Sequence, residues 1–300
     1  MHAEGLLLPR AQLLLAALLF STGGAAIKGS GFDGWQVACL RSGVAAVFLL
    51  LVLPSARRGW SWRSLLVGAG YGATMVTFVL ANKLTTAASA IYIQSTAPLY
   101  IALAGPLLLR EPIRRRDLVF FAALAAGLLL CFLDEPAAAA TAPDPLLGNW
   151  IAVASGVGWA GTMVGLRWLA RGQGSGSAAA LVAGNLCACL GTAVMALPLA
   201  DGTGWRDWAG ILYLGVFQIG TAYLLVQRGL RLVTAFEASL LLLLEPMLNP
   251  LFAWWLQGEV PGGYTLAAGG LILGATAVHT WTVRRRRPDG PAGGAGASGP

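Results

Sequence analysis

The amino-acid sequence predicts an all-α polytopic membrane protein with ten transmembrane helices, arranged as two inverted repeats of five helices each. Two observations predict the membrane class. Of the 300 residues, 57% are hydrophobic and only 11% are charged, whereas roughly 25% of the residues in soluble domains are charged. Apolar stretches of about 20 residues, the length that crosses a bilayer as a helix, recur along the chain. An internal repeat predicts the two halves.

Charged residues and helix breakers divide the chain into ten apolar stretches, and we predict one transmembrane helix for each. The predicted spans are 10–28, 34–54, 64–82, 85–109, 117–134, 147–168, 177–200, 206–227, 235–257 and 262–283. The first stretch has features of a signal peptide, but the nine spans after it favour an uncleaved helix. Residues 288–300 are mostly Gly, Ala and Pro and are predicted to form a disordered cytoplasmic tail.

The distribution of positive charge predicts the orientation. With both termini in the cytoplasm, 16 positive residues lie on the cytoplasmic side, while only Lys28, Lys83 and Arg206 lie on the other side and Arg41 lies within a span. The positive-inside rule therefore predicts cytoplasmic N and C termini. The net charge of +7 does not indicate nucleic-acid binding, because the arginines lie at span ends and not along one polar face.

The internal repeat is clearest in the fourth and ninth spans. A shift of 148 residues aligns Pro98 with Pro246 and Glu111 with Glu259, so a proline and a glutamate recur thirteen residues apart in both halves. Because each half has an odd number of spans, the second half enters the membrane from the opposite side and the repeat is inverted. Inverted repeats are common in secondary transporters, whose substrate site lies near the midplane between the halves.

Other spans correspond at slightly different shifts. A shift of 139 pairs Phe20 with Trp159 and Lys28 with Arg167, and a shift of 144 sets Asn185 against Arg41. Ala97 stands opposite Glu245, so neither the Arg41 charge nor the Glu245 charge is duplicated. The predicted organisation is a first repeat at 1–134, a periplasmic linker at 135–146 and a second repeat at 147–287.

The ten spans in two halves, the repeated Pro98–Glu111 and Pro246–Glu259 motif, and Arg41 early in the second span resemble the EamA branch of the drug/metabolite transporter superfamily. The resemblance covers about residues 10–285. Within that branch the sequence is most similar to the YddG-type aromatic amino acid exporters. The resemblance implies a basket-like fold in the bacterial inner membrane and the export of aromatic amino acids and methionine.

Polar and aromatic residues at helical spacing mark faces that are predicted to look inward. Hydroxyl and amide groups find no hydrogen-bond partners in the lipid hydrocarbon, so these faces should either line a cavity or pack between helices. The predicted substrate-binding residues are Tyr71, Thr74, Phe78, Asn82, Tyr92, Thr96, Trp159, Met163, Tyr223 and Glu245.

Two charged residues lie inside spans, where a charge is costly and needs a reason. Glu245 would bind a proton or a substrate amine, or would anchor the helix beside Pro246. Arg41 would hold a substrate carboxylate bidentately, or would snorkel to an interface or pair with another group. The structural alternative is favoured for both residues.

Two further patterns concern helix shape. Pro98 and Pro246 each leave a carbonyl unpaired at an equivalent depth in the two halves, which predicts either hinges or static bends. Gly68 with Gly72, and Gly270 with Gly274, predict faces where neighbouring helices approach closely.

The sequence therefore predicts a secondary transporter that exports small amino-acid-type metabolites by alternating access. The alternatives are a channel or facilitator, and a transporter of another metabolite such as a nucleotide sugar. A membrane-embedded enzyme is disfavoured because His2 and His279 lie at opposite ends of the chain and no close aspartate pair occurs. No cofactor or metal is expected, the partners are a small-molecule substrate and the lipid bilayer, and the chain is expected to act as a monomer.

Overall fold

A computed structural model describes residues 7–104, 118–134, 140–170, 176–199, 203–229, 238 and 241–285, and every regular element in those ranges is a helix. In chain order the helices are α1 (Leu7–Ser21), α2 (Gly23–Gly29), α3 (Gly34–Val52), α4 (Trp62–Leu84), α5 (Ala87–Gln94), α6 (Ala97–Ala104), α7 (Leu118–Leu133), α8 (Pro145–Ala170), α9 (Gly176–Thr192), α10 (Trp205–Tyr213), α11 (Ala222–Gly229), α12 (Leu244–Gln257) and α13 (Gly263–Arg285). A 3-10 turn, Pro54–Arg57, follows α3, and a π-helical segment, Leu214–Thr221, joins α10 to α11. Glu111, linker residues 135–139 and the predicted tail lie outside the described residues.

Four helical stretches of the described chain are long and apolar enough to cross a membrane. They are Leu7–Gly29, Gly34–Val52, Trp62–Leu84 and Trp205–Gly229, and α7 and α9 are shorter apolar helices. The predicted all-helical class is confirmed for the described residues, and the count of ten spans stays a prediction.

Local side-chain contacts set where several helices begin and end. Asp33 accepts a hydrogen bond from the Gln36 backbone N–H at 2.8 Å, and Gln36 accepts one from the Asp33 backbone N–H. Ser61 and Ser64 form the same reciprocal pair before α4. Such pairs satisfy N–H groups that have no partner inside the helix. Gly258, with φ of 66°, ends α12 in the left-handed conformation that glycine adopts without strain.

Both predicted hinge prolines follow an interruption of a helix. Ser95 and Thr96 separate α5 from α6, and Pro98 is the second residue of α6. In the other half Leu243 interrupts the helix, and Pro246 is the third residue of α12. Proline is tolerated in a first helical turn because its missing N–H would be unpaired there in any case. The helix is therefore interrupted at corresponding positions in the two halves.

Helix packing is closest around α4, which runs along both α8 and α9. A Cβ atom added to Gly72 would lie 2.5 Å from the Gly184 carbonyl oxygen, and one added to Gly68 would lie 3.0 Å from the Gly184 nitrogen. The close approach predicted at Gly68 and Gly72 is confirmed. The same prediction for Gly270 and Gly274 is wrong, because both lie on an exposed face of α13 where an added Cβ atom would meet nothing within 4 Å.

Apolar side chains cover the outside of the helix bundle, and polar ones lie inside it. Exposed residues include Leu51, Val119, Leu190 and Val194, whereas Gln36, Arg41, Asn82, Asn185 and Asn249 are buried. Exposed tryptophans lie near helix ends, with Trp60 and Trp62 at one end of the bundle and Trp205 and Trp208 at the other. An apolar outer surface bounded by tryptophans is typical of a protein that sits in a bilayer.

Candidate substrate site

An aromatic cluster lies in the middle of the bundle, where both halves contribute side chains. The rings of Tyr71 on α4 and Tyr223 on α11 are 5.7 Å apart and nearly perpendicular, at 89°. Phe20 on α1 meets Tyr223 edge to face at 5.1 Å. Trp159 on α8 and Met75 on α4 belong to the same apolar cluster as Tyr71. Aromatic and thioether side chains in such an arrangement favour contact with another aromatic or thioether group.

The π-helical segment before α11 sets the direction of Tyr223. The Thr221 hydroxyl donates to the carbonyl of Val216, five residues earlier, at 2.9 Å. Gly215 packs so closely on α3 that an added Cβ atom would lie 2.8 Å from the Arg41 carbonyl oxygen. A π-helical turn holds an extra residue and so rotates the residues that follow it, which is frequent at functional sites.

Arg41 lies beside this cluster with its charge buried and without an acidic partner among the described residues. Its side chain is 1% exposed, and one Nη donates to the Met75 carbonyl oxygen at 3.0 Å. Its Nε has no hydrogen-bond partner. The guanidinium group therefore does not snorkel to an interface. A buried, unpaired charge is costly unless a ligand completes its contacts.

Glu245 lies in the first turn of α12, close to Tyr223. The residue is half-buried. The N-terminal end of a helix carries a partial positive charge that favours a carboxylate. A half-buried carboxylate can accept hydrogen bonds from an ammonium group.

Several buried polar atoms around the cluster lack partners. The Tyr71 hydroxyl lies near the Tyr223 hydroxyl and the Asn185 amide, but no hydrogen bond of good geometry forms. The Asn185 Oδ1 is also without a partner, while its Nδ2 donates to the Leu181 carbonyl oxygen. An unsatisfied buried polar atom costs about 1–3 kcal/mol. Together with the Arg41 Nε, these atoms form a set that a polar ligand would satisfy.

Three of the other predicted residues lie in contacts along or between helices. The Thr74 hydroxyl donates to the carbonyl of Gly70 on its own helix and lies 3.5 Å from the Thr162 hydroxyl on α8. Asn82 donates to the Phe78 carbonyl oxygen on its own helix at 2.9 Å. The Thr74–Thr162 contact fits the alternative in which hydroxyls pack between helices, whereas the Asn82 amide bonds within its own helix.

The remaining predicted residues lie on α5, just after it, and on α8. Tyr92 is buried and packs on Gly269 of α13. The Thr96 hydroxyl donates to the Ile93 carbonyl oxygen and also contacts the Tyr100 hydroxyl. Met163 is half-buried on α8. Of the predicted set, the structure thus brings together Tyr71, Trp159, Tyr223 and Glu245.

Sequence reasoning did not include Phe20, Met75 and Asn185 in the site and assigned Arg41 a structural role. The alignment of the halves contained a signal for most of these positions, since it paired Phe20 with Trp159 and Asn185 with Arg41. Phe20 and Trp159 both lie in the aromatic cluster. Asn185 and Arg41 both lie near Tyr71 of that cluster. No sequence signal identified Met75.

A second group of charged residues lies at one end of the bundle, which we call the Lys28 end. The Lys28 ammonium forms an ion pair with the Glu259 carboxylate at 2.7 Å, and both side chains are almost fully buried, at 2% and 3% exposure. Lys28 also donates to the carbonyl oxygens of Thr85, at 2.8 Å, and Thr141. The other Glu259 oxygen accepts a hydrogen bond from the Ala87 backbone N–H at 2.6 Å.

A groove of about 360 Å³ lies next to this ion pair, between α2, α10 and α12. Its lining includes Thr22, Arg206, Tyr213, Phe252 and Gln257. The Thr22 and Tyr213 hydroxyls are 2.8 Å apart and form a hydrogen bond across the groove. Thr22 lies two residues after Phe20 of the aromatic cluster, so the groove and the cluster are neighbours along the same helical stretch.

Comparison with known proteins agrees with the all-helical fold. The model of the EamA-like transporter family matches residues 10–133 and, a second time, 146–281. Seventeen chains of solved structures match. A chain in one crystal structure is similar at a TM-score of 0.61 and 22% sequence identity, over 92% of this chain and 98% of that chain, which shows the fold alone. No curated protein matched the chain at the significance required.

Proposed function

The chain belongs to the EamA-like transporter family, whose members are transporters and not enzymes, and we propose that it exports amino acids with large apolar side chains. Arg41 carries this proposal, because it is buried beside an aromatic cluster and has no acidic partner among the described residues. A substrate carboxylate would supply that partner, since guanidinium groups bind carboxylates bidentately.

The chemistry of the cluster suits a zwitterion. Arg41 comes from the first half of the chain and would bind the carboxylate, whereas Glu245 comes from the second half and would bind the ammonium group. Tyr71, Tyr223 and Trp159 would contact the side chain, at roughly 0.5–1.5 kcal/mol per aromatic contact. An aromatic amino acid or methionine satisfies all three requirements.

The inverted arrangement of the halves is part of the proposal, and the helix packing supports it. An inverted repeat exchanges the first five spans with the last five, so each contact should have a counterpart with the halves swapped. The α4–α8 contact joins the third span to the sixth, and α1–α11 joins the first to the eighth. The α3–α9 and α7–α13 contacts, between spans two and seven and five and ten, are their own counterparts. Such symmetry lets the halves exchange conformations during transport.

We further propose that the Lys28 end faces the periplasm and that both termini are cytoplasmic in a bacterial inner membrane. The support is the excess of arginines toward the other end of the predicted spans. Reporters inserted at Ser55 and at Pro143 test it. The Ser55 reporter should be active only in the cytoplasm and the Pro143 reporter only outside, whereas the same side for both would contradict ten spans.

A nucleotide sugar is the alternative substrate with the clearest chemical requirement. A polyanion needs several converging cations, and among the described residues of the cluster only Arg41 is positively charged. A channel would lack saturable exchange. Counterflow in liposomes separates these cases, because a carrier accumulates labelled phenylalanine or methionine against an internal pool of the unlabelled compound.

The test uses two matched variants on α8. Trp159→Ala removes a wall of the cluster and should reduce phenylalanine counterflow, whereas Trp150→Ala alters an exposed tryptophan and should leave it unchanged. Cells should also lose tolerance of toxic aromatic analogues with the first variant only. Movement of a nucleotide sugar or a sugar without movement of either amino acid would refute the amino acid proposal.

A further inference from the structure

We propose that Lys28 and Glu259, with the backbone groups they bind, form a latch that closes the Lys28 end of the central site and opens once in each transport cycle. The inference rests on the proposed transport function, but not on which metabolite is carried. It assigns a conformational role to two residues that lie outside the aromatic cluster.

The first argument is connectivity. Lys28 lies at the end of α2, Thr85 and Ala87 lie between α4 and α5, Thr141 lies between the halves, and Glu259 lies between α12 and α13. One ion pair therefore joins four separate chain segments at a single end of the bundle. Any opening of this end that moves α2 away from α12 must break it.

The second argument is the cost of keeping the pair buried. Burial raises the pKa of the Glu259 carboxyl above its ordinary value, although the Lys28 ammonium and the Ala87 N–H both act to lower it. Desolvation is thus the largest influence on the pKa of this carboxyl group, ahead of its attraction to Lys28. Buried ion pairs contribute little net stability, and their best-attested use is to specify one arrangement among several. A pair that regains water when it opens is suited to a reversible closure.

The third argument is the element that carries Lys28. Helix α2 has seven residues and is separated from α1 at Thr22. Besides the ion pair, the hydrogen bonds that join it to the second half within the described residues are that of Gln257 to the Ala25 carbonyl oxygen at 3.2 Å and the Thr22–Tyr213 bond at its base. Gly23 and Gly24 also pack closely on Gln218 and Asn249. Movement of this short helix would extend the groove from Thr22 toward Phe20 on the preceding turn of α1.

The experiment measures access to the interior and needs no substrate. Ser89 is buried on α5, two residues after Ala87, and contacts Thr265. Ser89→Cys is placed in a chain whose four native cysteines are replaced, in membrane vesicles with the Lys28 end outward. The rate of labelling by a membrane-impermeant thiol reagent is then measured with Lys28→Met, with Glu259→Gln, and without either change.

Both variants should raise the labelling rate about tenfold or more, because each removes a charge-assisted contact from the closed state. Lys83→Met is the matched control. Lys83 lies at the same end but donates to the Ser30 carbonyl oxygen at 2.7 Å and forms no ion pair within the described residues. It should change the rate less than about twofold.

Glu259→Gln keeps the side-chain volume and an acceptor for the Ala87 N–H, so it tests the latch without removing the cap of α5. Unchanged labelling in this variant, with an unaltered gel-filtration profile, would overturn the proposal. Equal increases in the Lys83→Met control would also overturn it, because they would indicate general loosening of this end. Failure of amino acid counterflow with intact labelling differences would overturn the substrate and leave the latch standing.

Discussion

The centre of the bundle and its Lys28 end treat buried charge in opposite ways. At the centre, Arg41 and Glu245 both lie near Tyr223, yet neither forms an ion pair within the described residues. At the Lys28 end, Lys28 and Glu259 are in direct contact, and backbone groups complete their hydrogen bonds. The two regions have the same chemical components and differ in whether the protein itself satisfies them.

That difference indicates function more clearly than burial alone. A satisfied pair can close a path, because its partners are always present. A set of buried polar groups without hydrogen-bond partners destabilises the protein by itself, and such a set is tolerated where a bound ligand supplies the missing partners. The centre is therefore the region to test with substrates and substrate analogues, and the Lys28 end is the region to test with probes of access.

The largest expected effect is at Arg41. Replacing Arg41 by Met should weaken phenylalanine binding about 100-fold, because two charge-assisted hydrogen bonds to the carboxylate are lost. The thermal midpoint of the purified protein should stay equal or rise, since an unpaired buried charge is replaced by an apolar side chain of similar length. Thermal unfolding and counterflow are measured on the same preparation. A large loss of stability would mean that Arg41 is structural.

Glu245→Gln should weaken phenylalanine binding about tenfold by removing one charge-assisted contact to the ammonium group. Inhibition by 3-phenylpropionate, which has no amino group, should be unchanged. The Arg41→Met variant should show the opposite pattern. Phenethylamine, which has no carboxylate, should inhibit this variant as well as it inhibits the parent protein. Equal loss for all three compounds would argue against separate binding of the two charged groups.

The sequence predicted the all-helical class of this fold and some members of the aromatic cluster, and particular residues explain why it did not predict the others. Tyr71, Trp159 and Tyr223 were predicted to face inward, where an aromatic side chain lines a cavity or packs between helices, and the structure brings all three together. Thr74 was not distinguished from them, since a hydroxyl can also bond to a carbonyl one turn back on its own helix. The Gly270–Gly274 error has a similar cause, because spacing alone does not tell a packed face from an exposed one.

The Lys28–Glu259 pair lay beyond sequence reasoning for a different reason. Its members are 231 residues apart and were both assigned to span ends, where a solvated position is sufficient. Only the packing of α2 against the loop after α12 brings them together. Their aligned positions in the other half include Glu111, which lies outside the described residues.

Exchange of the two charges sharpens the contrast between the regions. If the closed state depended only on the attraction between the two opposite charges, the ion pair would still form when Lys28→Glu is combined with Glu259→Lys. Here the exchanged glutamate would face the carbonyl oxygens of Thr85 and Thr141, and the exchanged lysine would face the Ala87 N–H. The double variant should therefore label at Ser89→Cys severalfold faster than the parent, because like partial charges oppose closure. A labelling rate equal to that of the parent would show that the backbone groups do not determine which position carries the positive charge.

The smallest effect is expected at the two helix interruptions that precede Pro98 and Pro246. If Pro98 and Pro246 act as hinges, each proline-to-alanine change should slow turnover roughly fivefold, which corresponds to about 1 kcal/mol of barrier. The apparent affinity for phenylalanine should change little, because neither proline contributes a side-chain contact of the aromatic cluster.

Pro250 supplies the matched control, since it lies within α12 and aligns with Ala102, which is not a proline. Pro250→Ala should leave turnover close to that of the parent. The measurement is the initial counterflow rate over a range of phenylalanine concentrations, which separates maximal rate from affinity. Unchanged maximal rates in both Pro98→Ala and Pro246→Ala would show that the two interruptions are static bends and not hinges.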